Sequence, residues 1–149
     1  MKRGIIPYYE QLSYTAIPIR IADQTSHILI TLEVNGTKAR FILDTGASAS
    51  CIDSILLEKY SLTDQPLNNE IKTASGVLKP GLSTGNILSR NEWRATNVNF
   101  LTMDMTHINA ALKSQGMRSV QGLLGADFFI RHKAIISYKS KKLLLLQEE

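Results

Sequence analysis

Residues 41–48 read Phe-Ile-Leu-Asp-Thr-Gly-Ala-Ser, and the run Ile42-Leu43-Asp44-Thr45-Gly46 inside it decides the fold. A strand that enters a core does not ordinarily end on a charge, because a buried, unpaired carboxylate is costly. Either Asp44 opens a β-turn, which Asp, Thr, Gly and Ser all favour, or the strand exists to hold that carboxylate in place. The preceding residues bear on the choice. Ile28, Ile30, Leu32 and Val34 alternate with Leu29, Thr31 and Glu33, the period of two that marks a strand with one face in a core. Asn35-Gly36 follows, a strong hairpin signal because both turn positions take positive φ. Ala39, Phe41 and Leu43 alternate again, so the return strand runs toward Asp44. Its last residues before Asp44 are all apolar, which predicts burial on both faces.

The rest of the chain reads as short elements. Asp53 is placed to cap a short helix reaching Tyr60, with Leu56, Leu57 and Tyr60 on its apolar face. Residues 71–78 suggest a hairpin turning at Ser75-Gly76, and 81–88 and 93–103 suggest strands joined by the polar turn 89–92. Residues 106–115 form a second predicted helix, stopped by Gly116. A short apolar strand over 121–125, a helical turn over 126–131, and strands over 134–138 and 142–146 complete the series. Short strands separated by turns predict a mostly-β, closed, barrel-like domain with two or three short helices.

Composition narrows the function classes. With 149 residues, 44% hydrophobic and 20% charged, the chain suits one soluble globular domain. The lone Cys51 excludes an internal disulfide, fits a reducing compartment, and reads as a buried small hydrophobe rather than a nucleophile. The N-terminal residues begin like a signal peptide but are interrupted by Pro7 and Glu10. No run of about 18 apolar residues follows, so a cytoplasmic protein without a membrane partner is expected. The late basic residues Arg131, Lys133, Lys139, Lys141 and Lys142 lack interleaved aromatics. They read as a solvated hairpin turn, not a nucleic-acid surface. His27, His107 and His132 show no metal-ligand spacing, so no metal is expected. Trp93 reads as a packing anchor, and Met103 and Met105 as core fillers.

A second motif, Gly122-Leu123-Leu124-Gly125-Ala126-Asp127, again pairs an apolar strand with a glycine that permits close backbone approach. Phe41 to Ser48, Gly122 to Phe129, their separation, and the intervening Lys72-Thr73-Ala74-Ser75-Gly76 together resemble the retropepsin-like aspartic proteases. These are the single-lobed relatives of pepsin, and the likeness is greatest to their bacterial members. It covers Ile17 to Leu146.

The resemblance implies a pepsin/retropepsin single lobe over residues 17–149, with residues 1–16 as an N-terminal segment and candidate dimer contact. It implies an aspartic endopeptidase without a cofactor, acting as a homodimer on a peptide or protein substrate in extended form. Family members use two aspartates that share a proton, and this chain has a single Asp-Thr-Gly, so the second Asp44 comes from another copy. By the same carry-over Asp44, Thr45 and Gly46 are the catalytic set, with the Thr45 hydroxyl reaching across the dimer. Ala47 and Ser48 border the substrate groove. Thr73, Ala74, Ser75 and Gly76 form the flap over it, and Leu123, Leu124 and Gly125 support the site. Viral members carry an acidic residue in place of Ser48 and an arginine in place of Ala126, a pair that braces their dimer. Both are absent here. The alternative is a non-catalytic dimeric peptide-binding or assembly module on the same fold.

Overall fold

The computed structural model describes residues 4–68, 70–73 and 76–148. Helix α1 (Ile5–Glu10) leads into strands β1 (Tyr14–Pro18) and β2 (Arg20–Ile21). The Asn35-Gly36 turn joins β3 (Ile28–Val34) to β4 (Thr37–Leu43), and β5 (Cys51–Asp53) and β6 (Gln65–Pro66) follow. Next come the hairpin β7 (Ile71–Thr73) and β8 (Gly76–Leu78) and the long hairpin β9 (Gly81–Arg90) and β10 (Trp93–Met103). Helix α2 (Thr106–Ser114), β11 (Gly122–Leu124), α3 (Ala126–Arg131), β12 (Ile135–Ser137) and β13 (Lys142–Leu146) end the chain.

Six strands close a barrel in the order β3-β4-β11-β5-β10-β9, with β9 returning to β3 through Glu33↔Ser89 and Val34↔Leu88. Closure leaves the central strands without a free edge. The alternation along β3 and β4 sends Ile30, Leu32, Ala39 and Phe41 inward, where they meet Ile52, Leu88, Trp93, Phe100 and Leu124. Phe41 and Phe100 stack at 5.9 Å between centroids. Each such side chain contributes roughly 1.5–3 kcal/mol when fully buried. The other face of β4 packs Ile42 with Leu29, Cys51, Met105, Leu112 and Met117 beneath α2. Phe41, Ile42 and Leu43 are accordingly all buried. A second sheet, β1-β13-β12, joins the two ends of the chain, Tyr14 opposite Leu146.

Several local expectations are corrected. The predicted helix from Asp53 to Tyr60 is only a 3₁₀ turn over Ser54–Leu56. Asp53 does cap it through the Ile55 N–H, but its carboxylate also accepts from the Met105 N–H, 3.3 Å in each case. The chain is then pulled inward by Tyr60, which is fully buried and donates its hydroxyl to the Lys38 carbonyl at 2.8 Å. β9 extends to Arg90, so the turn at 89–92 shrinks to Asn91-Glu92, with Asn91 at φ 54°. Gly76 pairs with Thr73 within the β7–β8 hairpin instead of forming its tip. Among the described residues no helix is long and apolar enough to cross a membrane.

Candidate active site

Asp44 stands at the end of β4, where the β ladder continues one step past the strand: its N–H donates to the Leu124 carbonyl at 2.9 Å. β11 lies between β4 and β5, parallel to one and antiparallel to the other. It therefore occupies the space between the two strands that loop 44–50 connects. Only glycine fits at position 122, because a Cβ there would stand 2.5 Å from Phe41 Cε1 and 2.6 Å from the Cys51 carbonyl oxygen.

The loop is closed on itself and on α3. Gly46 N–H donates to Asp44 Oδ1 at 3.0 Å, and Ala47 N–H to the Asp44 carbonyl at 3.1 Å. A Cβ on Gly46 would meet Asp44 Oδ1 at 3.4 Å. Ala126 N–H donates to the Ala47 carbonyl at 2.7 Å, and Asp127 N–H to the Ser48 carbonyl at 3.3 Å. Gly125 is pressed against this loop, since a Cβ would lie 2.8 Å from the Ala47 oxygen and 2.9 Å from the Ala49 carbonyl group.

Two residues not singled out as site residues in the sequence complete the arrangement. The Asp127 carboxylate accepts from the Ser50 N–H at 3.0 Å, the Ser50 hydroxyl at 2.7 Å and the Phe128 N–H at 2.7 Å. The buried Ser50 hydroxyl in turn accepts from Gly125 N–H at 2.9 Å. The available signal was an acidic residue in the first turn of a predicted helix, just after a close-approach glycine. An intrachain tie thus stands on the two segments that also carry Ser48 and Ala126, the positions of the absent charge pair.

Asp44 is half-buried, Thr45, Gly46 and Ser48 are exposed, and Ala47 is half-buried. Leu124 and Gly125 lie buried beneath them, with Leu123 half-buried. The backbones of Thr73 and Gly76 pair in the β7–β8 hairpin, while Ala74 and Ser75 lie outside the described residues. Burial pushes the Cys51 thiol up to about 11, with nearby Asp53, Asp127 and Asp44 acting in the same direction against a backbone hydrogen bond from Leu123. A thiolate nucleophile is therefore disfavoured there. The large surface concavity of about 1040 Å³ lined by Arg94, Arg131, Lys133 and Glu148 includes no residue of the Asp44 loop. Among the described residues no cluster of His, Cys, Asp or Glu is arranged to hold a metal ion.

The closed barrel and the inserted strand define a retropepsin-like single lobe, and comparison with solved structures agrees. A retropepsin-like aspartic protease from Rickettsia conorii superposes with a TM-score of 0.59 at 21% identity, covering 89% of this chain and 98% of that one. The EIAV protease, solved with the inhibitor HBY-793, superposes with a TM-score of 0.55 at 14% identity, covering 78% and 97%. The chain belongs to the aspartyl protease family, whose model matches residues 30–128. It is also 29% identical over 128 residues to DNA damage-inducible protein 1 of Kluyveromyces lactis, a match covering 85% of this chain and 28% of that longer protein.

Proposed function

We propose that the protein is a homodimeric aspartic endopeptidase in which the Asp44 carboxylates of two copies activate one water. The observation that carries this reading is the Asp44 loop: a carboxylate at the end of a buried strand, oriented by the Gly46 N–H, beside exposed Thr45 and Gly46. A structural turn does not require a charge held at a core edge. One carboxylate cannot act as general base and general acid in the same step. Two carboxylates about 3 Å apart do not both ionise readily, so such a pair carries a single proton between them. The ionised member takes a proton from the water as it attacks the scissile carbonyl. The protonated member polarises that carbonyl, and a proton is then passed to the leaving amine.

Within this reading Gly46 holds the carboxylate through its N–H, and the exposed Thr45 hydroxyl bonds to the partner's loop. Ala47 and Ser48 line the groove for an extended peptide, and residues 73–76 close over it to exclude water. Leu123, Leu124 and Gly125 support the loop from beneath.

The test is cleavage of a pool of unfolded peptides across pH 4 to 7 by the protein and by Asp44→Asn, at several protein concentrations. Cleavage by the parent that is lost in Asp44→Asn, with specific activity rising with concentration toward a plateau, supports the paired-aspartate mechanism. Equal cleavage by both proteins removes Asp44 from the chemistry. No cleavage by a protein shown by sedimentation to be dimeric favours a peptide-binding module.

A further inference from the structure

A group of arginines on the outer face of the sheet has no part in the Asp44 chemistry. Arg20 pairs with Leu29, Leu29 with Ile42, and Thr31 with Arg40 across β2, β3 and β4. Cross-strand partners point to the same face, so Arg20 and Arg40 emerge together, at the margin of the apolar cluster under α2. Arg118 reaches the same place from the loop after α2, and the three line a cavity of about 100 Å³ with Gln24, Gly116 and Met117.

The cavity is built by fixed parts. Arg40 Nη1 donates to the Ser119 carbonyl at 3.0 Å, and the Arg40 N–H to Gln121 Oε1 at 2.7 Å. The loop carrying Arg118 is tied at both ends. Asn109 bonds both the N–H and the carbonyl of Val120, at 2.8 and 3.0 Å, and Met117 N–H donates to the Leu112 carbonyl at 2.9 Å. Gly116 turns the chain with φ 83°.

Among the described residues, none places a carboxylate within 4.0 Å of these guanidinium groups; the one Arg–carboxylate ion pair found joins Arg131 to Glu148. Asp23 lies between Ala22 and Gln24, which both line the cavity, yet it does not line it. Burial and then the charges of Arg118 and Arg20 lower the proton affinity of Arg40. Like charges brought to one place by a tied backbone, without a counter-charge, raise the energy of the chain unless an anion joins them. Guanidinium forks match the oxygen edges of phosphate. A polar cavity of about 100 Å³ is larger than one water requires and has room for a small polar group.

We propose that Arg20, Arg40 and Arg118 form a binding site for a small, multiply charged oxyanion of the phosphate type. The site is independent of the peptidase reading and is tested without any activity measurement. Thermal unfolding is followed in inorganic phosphate, in acetate and in chloride at matched ionic strength and pH 7, for the protein, Arg118→Ala and Arg20→Ala. The expected result is an unfolding midpoint raised by about 5 °C in saturating phosphate over chloride. In both variants that rise is lost while the midpoint in chloride stays level or increases, because a like-charge repulsion has been relieved. A general salting effect of phosphate would act on parent and variants alike. The proposal is overturned if phosphate gives no rise over chloride, if the variants keep the rise, or if acetate matches phosphate. Should Arg118→Ala fail to fold, Arg20→Ala carries the same comparison.

Discussion

Gly125 shows how closely the two motifs are joined. A methyl group at this position would stand under 3.0 Å from backbone atoms of Ala47 and Ala49, and backbone cannot move aside as a flexible side chain can. Gly125→Ala is therefore expected to cost about 1–3 kcal/mol in urea unfolding, the usual range for overpacking. Gly46→Ala is the control: its Cβ would meet only Asp44 Oδ1, at ordinary contact distance, and the residue is exposed. Its effect on stability is expected to stay within about 0.5 kcal/mol. The close-approach role of the glycine after Leu124 was legible from its place at the end of an apolar strand. The Ser50–Asp127 bonds were not, since 77 residues separate the partners and Ser50 belongs to no recognisable pattern.

Asn35 changes meaning when β3, β4 and β9 are considered together. In the sequence it is half of a hairpin turn, and its φ of 49° agrees with that reading. Its side chain also ties three segments: it donates to the Tyr60 carbonyl at 2.8 Å and to Asn86 Oδ1 at 3.0 Å, and accepts from the Ile87 N–H at 2.9 Å. A residue that served only the turn would be replaced by glycine with little loss, because glycine takes positive φ freely. Asn35→Gly is instead expected to destabilise by about 1–3 kcal/mol, as partly buried groups lose their partners. Chemical denaturation measures it, and a neutral result would return Asn35 to a turn residue alone. The same long-range pull explains why the predicted helix after Asp53 is a 3₁₀ turn. A buried Tyr60 bonded to Lys38 outweighs a weak local helical preference.

The two ends of the chain pair as β1 and β13, and a histidine buried at the end of α3 is expected to make the whole molecule sensitive to acid. Buried His132 sits against Trp93 and Phe128, with ring centroids 5.1 and 4.7 Å away. Burial pushes its imidazole down to about 4 from an ordinary 6.5; Glu148 opposes this, while Arg131 adds to it. The neutral form is thus the folded form. Above pH 6.5 this group costs nothing, because the unfolded chain is neutral there too. As pH falls from 6.5 toward 4 the unfolded state gains a proton that the folded state does not, and stability declines. The gap corresponds to up to about 3 kcal/mol, all of it lost below pH 4. Urea midpoints at pH 7, 5.5 and 4 are expected to fall in that order, and a His132→Leu variant to fall less steeply. The cleavage assay crosses this same window, so loss of activity toward pH 4 is to be compared with the folded fraction at each pH.

The sequence carried its strongest information where one residue's neighbours in the chain are also its neighbours in space. The β3–β4 hairpin, the burial of Phe41 to Leu43 and the placing of Asp44 at a strand end all follow from period-two alternation and one Asn-Gly turn. The long hairpin β9–β10 and helices α2 and α3 were legible in the same way. Residues 5–18 were not: α1 buries no side chain, and β1 becomes a strand by pairing with β13 at the far end of the chain. The insertion of β11 between β4 and β5, the barrel closure through β3 and β9, and the gathering of Arg20, Arg40 and Arg118 belong to the folded chain alone. The paired strands lie more than 50 residues apart there, as does Arg118 from Arg20 and Arg40, and local propensity carries no record of which distant partner a strand edge or a guanidinium will find.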